Sequence, residues 1–171
     1  MGPNEQGNLF LKITLHRMCD MYLPKLKMVL GGISQEVLWT EPYPKGNTVG
    51  GIALHVCEHI ARSCLRLQQL THQLKPDFES YFPVGGQTAE QLIGLFEQQF
   101  QAWEGEMRKL MRGEQRIDAE QIHQLYHLVE HTGYHLGQII DRIQAATGRK
   151  FSFCQNGLNE SYLRRLMEQG E

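Results

Sequence analysis

The sequence lacks any long apolar run, and this absence excludes several classes of protein. No stretch approaches the ~20 apolar residues that cross a bilayer. Charged residues such as Lys12, Arg17 and Asp20 interrupt the N-terminal region, so no secretory signal is recognisable. The four cysteines are irregularly spaced and form no CxxC pair. We therefore expect a soluble, cytoplasmic protein with reduced thiols.

The sequence also lacks an excess of charge of either sign. It has 17 Lys and Arg residues against 19 Asp and Glu residues, and a formal net charge of −2. Without a run of Lys and Arg there is no electrostatic footprint for the phosphates of nucleic acid. We expect neither nucleic acid nor a membrane as a partner, and consider a small-molecule substrate instead.

Apolar residues recur at helical spacing through most of the chain, whereas strand-like alternation never persists for more than a few residues. The chain has 171 residues, 41% of them hydrophobic, which is enough to bury one core. We predict an all-α fold, a single four-helix bundle with long connecting loops and a short C-terminal helix. The long helices are predicted at about 9–30, 48–74, 88–111 and 118–147, and the C-terminal one at about 159–167.

Local signals place several helix ends. Thr88 and Gln91 fit a capping box, Thr48 is a potential N-cap, and Gly31 with Gly32 should stop the first helix. The short link between the third and fourth helices predicts that these two are antiparallel neighbours. The first two links are longer, at roughly fifteen residues each, and their aromatic residues should cover an end of the bundle or wall a pocket.

The N-terminus is treated separately from the domain. Met1-Gly2-Pro3 resembles a remnant of an expression vector. We therefore predict one domain over residues 8–171 and expect residues 1–7 to be disordered or foreign to the natural chain.

A ladder of histidines, "HQLYHLVEHTGYHLGQII", marks the fourth helix. His123, His127, His131 and His135 follow one another at intervals of four, so neighbours lie one turn apart and an adjacent pair can converge on one metal ion. The direction in which the side chains leave the helix axis rotates by about 120° from His123 to His135, so one ion can be bound only by an adjacent pair. His135 lies at the edge of the apolar stripe with His131 beside it, and His127 lies nearly opposite.

The residues alone leave open whether this ladder binds metal. "HTGYH" lacks the glutamate of the HExxH motif, which disfavours a zincin-like protease. A third ligand could come from "GGIALHVCEHIARSC", where His55 and His59 are one turn apart, but periodicity places both on the polar face of their helix. A solvated histidine face with no site remains an equal alternative at this point.

Two segments, "NTVGGIALHVCEHI" (47–60) and "HLVEHTGYHLGQII" (127–140), resemble the signature segments of the DinB/YfiT-like superfamily. These are bacterial four-helix-bundle proteins that are often associated with damage or stress. "FLKITLHRMCDMYLPKL" (10–26) is similar to the first helix of the family, so the resemblance covers most of the chain.

The resemblance implies one divalent metal ion, zinc or nickel, bound by His55, His131 and His135. His59 and His127 are additional histidines that could substitute as ligands. The catalytic residues are not assigned by the resemblance; His59, as a base, and Tyr134, as a donor to a metal-bound group, are the candidates.

The resemblance further implies a metal-dependent enzyme of the hydrolase or transferase class. Some members resemble S-transferases that use a low-molecular-weight thiol such as bacillithiol or mycothiol, and a thiolate held by a metal is a competent nucleophile. The alternative is a non-catalytic, stress-associated protein that binds metal or serves assembly. The family also implies a homodimer.

Structural or binding roles are predicted for several further residues. Cys57 and Cys64 lie on the apolar side of their helix and should be buried packing residues. Arg62 and Arg142 share faces with the histidines and could hold a substrate carboxylate. Gly137 is expected to permit a close helix contact near the site.

Overall fold

The computed structural model describes residues 3–168, and all its regular structure is helical within that range, as predicted. The first long helix, α1, has three consecutive segments, of which the middle one is π-helical. These are Pro3–His16, Arg17–Tyr22 and Leu23–Leu30. The others are α2 (Gln35–Trp39), α3 (Val49–Leu67), α4 (Ala89–Met111), α5 (Ala119–Thr147) and α6 (Glu160–Glu168), with a 3₁₀ turn at Thr71–Gln73. None of these described helices is long and apolar enough to cross a membrane.

Side-chain caps begin the long helices at the residues that the sequence predicts. The Thr88 side chain accepts the backbone N–H of Gln91, and Gln91 in turn accepts the N–H of Thr88, which confirms the capping box. Asp118 forms the same arrangement at the start of α5, and Gly148 ends that helix with a φ of 70°. α3 ends at Leu67, earlier than predicted, because Gln69 takes a left-handed conformation with a φ of 60°.

The first helix extends further towards the N-terminus than predicted. α1 begins at Pro3 and so includes residues 3–7, whose origin outside the natural chain stays a prediction. Proline suits the first position of a helix because its missing N–H would have no intrahelical acceptor there. Met1 and Gly2 lie outside the described residues.

The packing order of the long helices differs from the prediction. Among the described residues, α3 packs extensively against both α4 and α5, and α1 also packs against both. α4 and α5 therefore lie diagonally across the bundle, so the expectation that they are antiparallel neighbours was wrong. The apolar faces of α4 and α5 are each buried between α1 and α3, and the short segment 112–118 crosses the end of the bundle.

The core is one cluster to which all four long helices contribute. Trp103, fully buried on α4, donates its indole N–H to Ser63 of α3 at 3.1 Å. Cys57 and Cys64 are buried as predicted, and burial raises the pKa of the Cys57 thiol to about 12. All four cysteines are free, and a thiol such as Cys57 is therefore an inert packing group at neutral pH.

Two segments outside the long helices fix the position of α3. Trp39 at the end of α2 packs on Gly50, where an added Cβ would lie 2.5 Å from the indole ring. The indole also donates to the carbonyl of Gln87 at 2.9 Å, which ties α2 to the segment 68–88. That segment covers one side of α3 and buries its own Phe78 against the helix.

Candidate metal centre

The candidate site lies where α3 and α5 run antiparallel. His55 faces His131 and His135 with ring centroids 5.1 and 5.0 Å away, whereas His59, one turn later on α3, faces His131 and the earlier His127. The spacing of four residues puts each pair on one side of its helix. The antiparallel pairing therefore brings together three of the histidines that the sequence singles out.

The possible ligand atoms of His55, His131 and His135 all lie within 4.8 Å of one another. The Nε2 atoms of His55 and His131 are 3.4 Å apart. Zn–N bonds of about 2.0–2.1 Å in a tetrahedral arrangement require nitrogens roughly 3.3–3.4 Å apart. The three imidazoles fit a divalent ion and could hold one.

Hydrogen bonds fix the ring orientation of two of these histidines. His55 donates its Nδ1–H to the carbonyl of Tyr81 at 3.0 Å; a carbonyl only accepts, so the proton must be on Nδ1. His135 donates its Nδ1–H to Oε1 of Gln138 at 2.8 Å, and Gln138 donates to the Tyr134 hydroxyl at 2.9 Å. Both rings therefore present an unprotonated Nε2 to the centre of the cluster, as metal-binding histidines do.

The electrostatics keep the cluster neutral. Burial, reinforced by repulsion from neighbouring imidazoles, lowers the pKa of His59 to about 2 and of His131 to about 3. Burial likewise lowers the pKa of His55 and of His135. Neutral imidazole is the form that binds metal, so protons do not compete for these sites near neutral pH.

The polar face predicted for α3 is not solvated. His55 is 1% exposed, His59 4% and Arg62 8%, because α5 and the segment 68–88 cover that face. The rings of Phe78 and Phe82 stack on His55 at 5.5 and 4.2 Å. The alternative of a solvated histidine face is therefore wrong for α3.

The remaining histidines of interest lie in contrasting environments. His123 and His127 are exposed. His59 is buried against His131, with ring centroids 3.6 Å apart. His59 Nε2 and His131 Nδ1 are both buried and have no hydrogen-bond partner. Tyr134 is 62% exposed; its ring lies edge-on to the His135 ring with centroids 5.0 Å apart, and its hydroxyl accepts from Gln138.

Sequence reasoning missed two groups at this site and misassigned a third. The spacing of Gln138, three residues after His135, could have indicated its role, whereas nothing in the sequence identifies the Tyr81 carbonyl. Gly137 makes no close contact; an added Cβ there meets nothing within 4 Å. The close approach occurs at Gly133, whose Cβ position is 2.8 Å from the Tyr22 hydroxyl.

Comparison with known proteins is consistent with this architecture. A family model described as the DinB superfamily matches residues 23–139, which include α3, α4 and all three converging histidines. No curated protein and no solved structure matches the chain significantly. The family model covers more than half of the chain, so the chain belongs to the DinB superfamily.

Proposed function

We propose that His55, His131 and His135 bind one divalent metal ion, zinc or nickel, and that the protein is a metal-dependent enzyme. The favoured reaction is thiol-dependent S-transfer, with a small thiol as one substrate. The single observation that carries the proposal is the convergence of three ligand atoms within 4.8 Å, inside a nearly buried cluster.

The donor set suits this chemistry. A divalent ion held by three imidazoles keeps positions open for a thiol or a water molecule and lowers the pKa of either. The thiol would release its proton to solvent, its sulfur would form a bond to the electrophile, and the leaving group would depart with the bonding electron pair. No cysteine belongs to the ligand group, so the reacting thiol would come from outside the chain.

The surrounding residues would orient the ligands and exclude water. The Tyr81 carbonyl and Gln138 hold the rings of His55 and His135, while Phe78 and Phe82 shield the His55 ring. A dry surrounding strengthens the interaction of neutral imidazoles with a cation.

His59 has a different proposed role from that of a general base. If Nε2 of His131 is a ligand, its Nδ1 carries the proton and requires an acceptor. The Nε2 of His59 is also unpartnered, but the two rings stack with centroids 3.6 Å apart, too close for a hydrogen bond in the ring planes, so His59 would hold the His131 ring by packing. Hydrogen bonds would then orient His55 and His135, and packing against His59 would orient His131.

A non-catalytic, stress-associated role in metal binding or assembly is the second candidate. The burial of His55 and His135 favours it, because closed sites are typical of structural metals. Binding of a thiol to the metal separates the two candidates. Association as a homodimer stays a prediction, and analytical ultracentrifugation tests it.

The first experiment is metal analysis of protein purified without a histidine tag. We expect about one equivalent of zinc or nickel per chain, and a loss of most of it in His55→Ala, His131→Ala and His135→Ala. His123→Ala is the matched control, because His123 belongs to the same ladder but is exposed. Metal well below one equivalent in the parent protein would contradict the proposal.

The second experiment replaces the bound metal by cobalt and adds a low-molecular-weight thiol. Coordination of sulfur should produce a new sulfur-to-cobalt charge-transfer band, absent in His135→Ala. Turnover of an electrophile with the same thiol would then establish the S-transferase. A cobalt spectrum unchanged by any thiol would leave the non-catalytic role as the better account.

A further inference from the structure

A cavity of about 290 Å³ lies beside the histidine cluster, on the other side of the Phe78 ring. It is formed by the end of α3 and the segment 68–88. Its lining includes two cations, two carboxylates and three apolar side chains: Arg62, Lys75, Glu58, Asp77, Leu65, Leu74 and Phe78. The volume is close to the lower end of those seen for small-molecule sites. We call this space the Arg62 cavity.

Arg62 is a buried cation whose hydrogen bonds are incomplete. The residue is 8% exposed, and its NH1 group donates to the carbonyl of Lys75 at 2.7 Å. The Nε–H group is buried and has no acceptor. The carboxylate of Glu58 is 3.9 Å from NH1, too far for a hydrogen bond. A buried N–H group without an acceptor lowers the stability of the folded protein, and an anion bound next to the guanidinium would supply the missing acceptor.

The same aromatic ring joins this cavity to the candidate metal centre. The guanidinium of Arg62 lies over Phe78, 4.2 Å from the ring centroid. Phe78 also lies against the rings of His55 and His59, with centroids 5.5 and 4.4 Å away. A ligand in the cavity would therefore lie one aromatic ring away from the histidine cluster.

We propose that the Arg62 cavity binds the carboxylate group of the substrate, with Arg62 as the anchoring residue. Planar guanidinium groups bind carboxylates through parallel hydrogen bonds, and Arg62 lines the cavity while its Nε–H has no acceptor. Leu65, Leu74 and Phe78 provide apolar contacts for the chain between the carboxylate and the reacting group. The substrate class is an alkyl carboxylate, and a mercapto-carboxylate in particular if the thiol is the molecule bound there.

This inference rests on the proposed function only for the identity of the reacting group, so the first test uses metal-free protein. Untagged full-length protein is titrated with hexanoate, and the Arg62 Nε–H resonance is followed by ¹H–¹⁵N NMR. We expect that resonance to shift with saturation, and hexanoate to bind about tenfold more tightly than the uncharged hexanamide. Equal affinities, or an unmoved Arg62 resonance, would overturn the proposal.

Variants distinguish recognition by Arg62 from a general effect of charge. Arg62→Gln should abolish the preference for hexanoate, whereas Arg66→Gln should keep it, because Arg66 is one turn further along α3 and does not line the cavity. If Arg62→Gln does not fold, Glu58→Gln decides. It removes the nearest carboxylate and should strengthen hexanoate binding several-fold. Unchanged hexanoate affinity in Glu58→Gln would count against Arg62 as the anchor.

A second titration separates failure of this inference from failure of the proposed function. Cobalt-loaded protein is titrated with mercaptohexanoate and with the uncharged mercaptohexanol of equal length. If both thiols alter the cobalt spectrum with equal affinity, the carboxylate site is refuted while thiol binding stands. If neither alters it, yet hexanoate still moves the Arg62 resonance, thiol chemistry is refuted and the carboxylate site stands.

Discussion

Replacing Gln138 by alanine should weaken metal binding without unfolding the bundle. The amide accepts the Nδ1–H of His135 at 2.8 Å and donates to the Tyr134 hydroxyl at 2.9 Å. Gln138 is only half-buried and lies outside the hydrophobic core, so its removal opens no large core cavity. Its loss would leave the proton free to occupy either ring nitrogen of His135, including the one that faces the cluster.

The size of the effect follows from how firmly the ring is otherwise held. Outer partners of metal-binding histidines typically change metal affinity by about 10–100-fold, or about 1.4–2.7 kcal/mol. His135 is 5% exposed, and its ring also packs against those of His55 and His131 at 5.0 and 4.4 Å. Packing retains part of the orientation, so we expect the lower end, about tenfold. Gln138→Glu should strengthen binding, because a carboxylate acceptor makes the imidazole more basic.

The assay is competition for zinc between untagged protein and a chromophoric chelator, followed by thermal unfolding of the metal-free forms. Gln124→Ala is the matched control. Gln124 donates to Glu120 at 2.7 Å on the same helix and lies about two turns before His131. Equal zinc affinities for Gln138→Ala and the parent protein, at unchanged metal-free stability, would show that the hydrogen bond to His135 does not orient a ligand.

Three further outcomes follow from the structure. Metal-free protein should lose stability as the pH falls below about 6.5, the ordinary histidine pKa, because His59 is protonated there in the unfolded state but stays neutral in the folded state, where its pKa is about 2. Urea unfolding at pH 7 and pH 5 should show a loss of up to about 1.4 kcal/mol per pH unit from this residue, and His59→Gln should reduce that slope. Gly50→Ala should lower the free energy of unfolding by about 1–3 kcal/mol, since the new Cβ would meet the Trp39 ring at 2.5 Å, and an unchanged midpoint in urea would contradict this. Asp118→Ala should cost about 1 kcal/mol through loss of the cap on α5, measured by the same unfolding, whereas Asp118→Asn should retain most of the stability.

Much of the fold is predictable because its signals are local. The capping boxes at Thr88 and Asp118 and the left-handed Gly148 depend only on residues within one turn, so the sequence identifies these helix ends directly. Which helices are neighbours depends on contacts far apart in the chain. A link as short as 112–118 can join either adjacent or diagonal helices, and the spacing of apolar residues along α4 and α5 does not tell these two arrangements apart.

The site was predictable in part for the same reason. The spacing of His131 and His135 identifies a possible pair of ligands, whereas the choice of His55 came from the family resemblance. Helical periodicity predicted a solvated polar face for α3. The spacing of apolar residues shows which side of a helix is apolar, but it contains no information on whether another segment covers the polar side. The burial of His59 and Arg62 follows from that covering segment and from α5.

The length of segment 68–88 has a consequence of its own. α3 and α4 pack side by side, and adjacent helices in bundles need connections of only about 2–8 residues. The excess length carries the Tyr81 carbonyl, Phe78 and Phe82 to the histidines, while the helices bear the converging rings. Substitutions in this one segment could therefore change the surroundings of the histidines while the helices keep the positions of the rings.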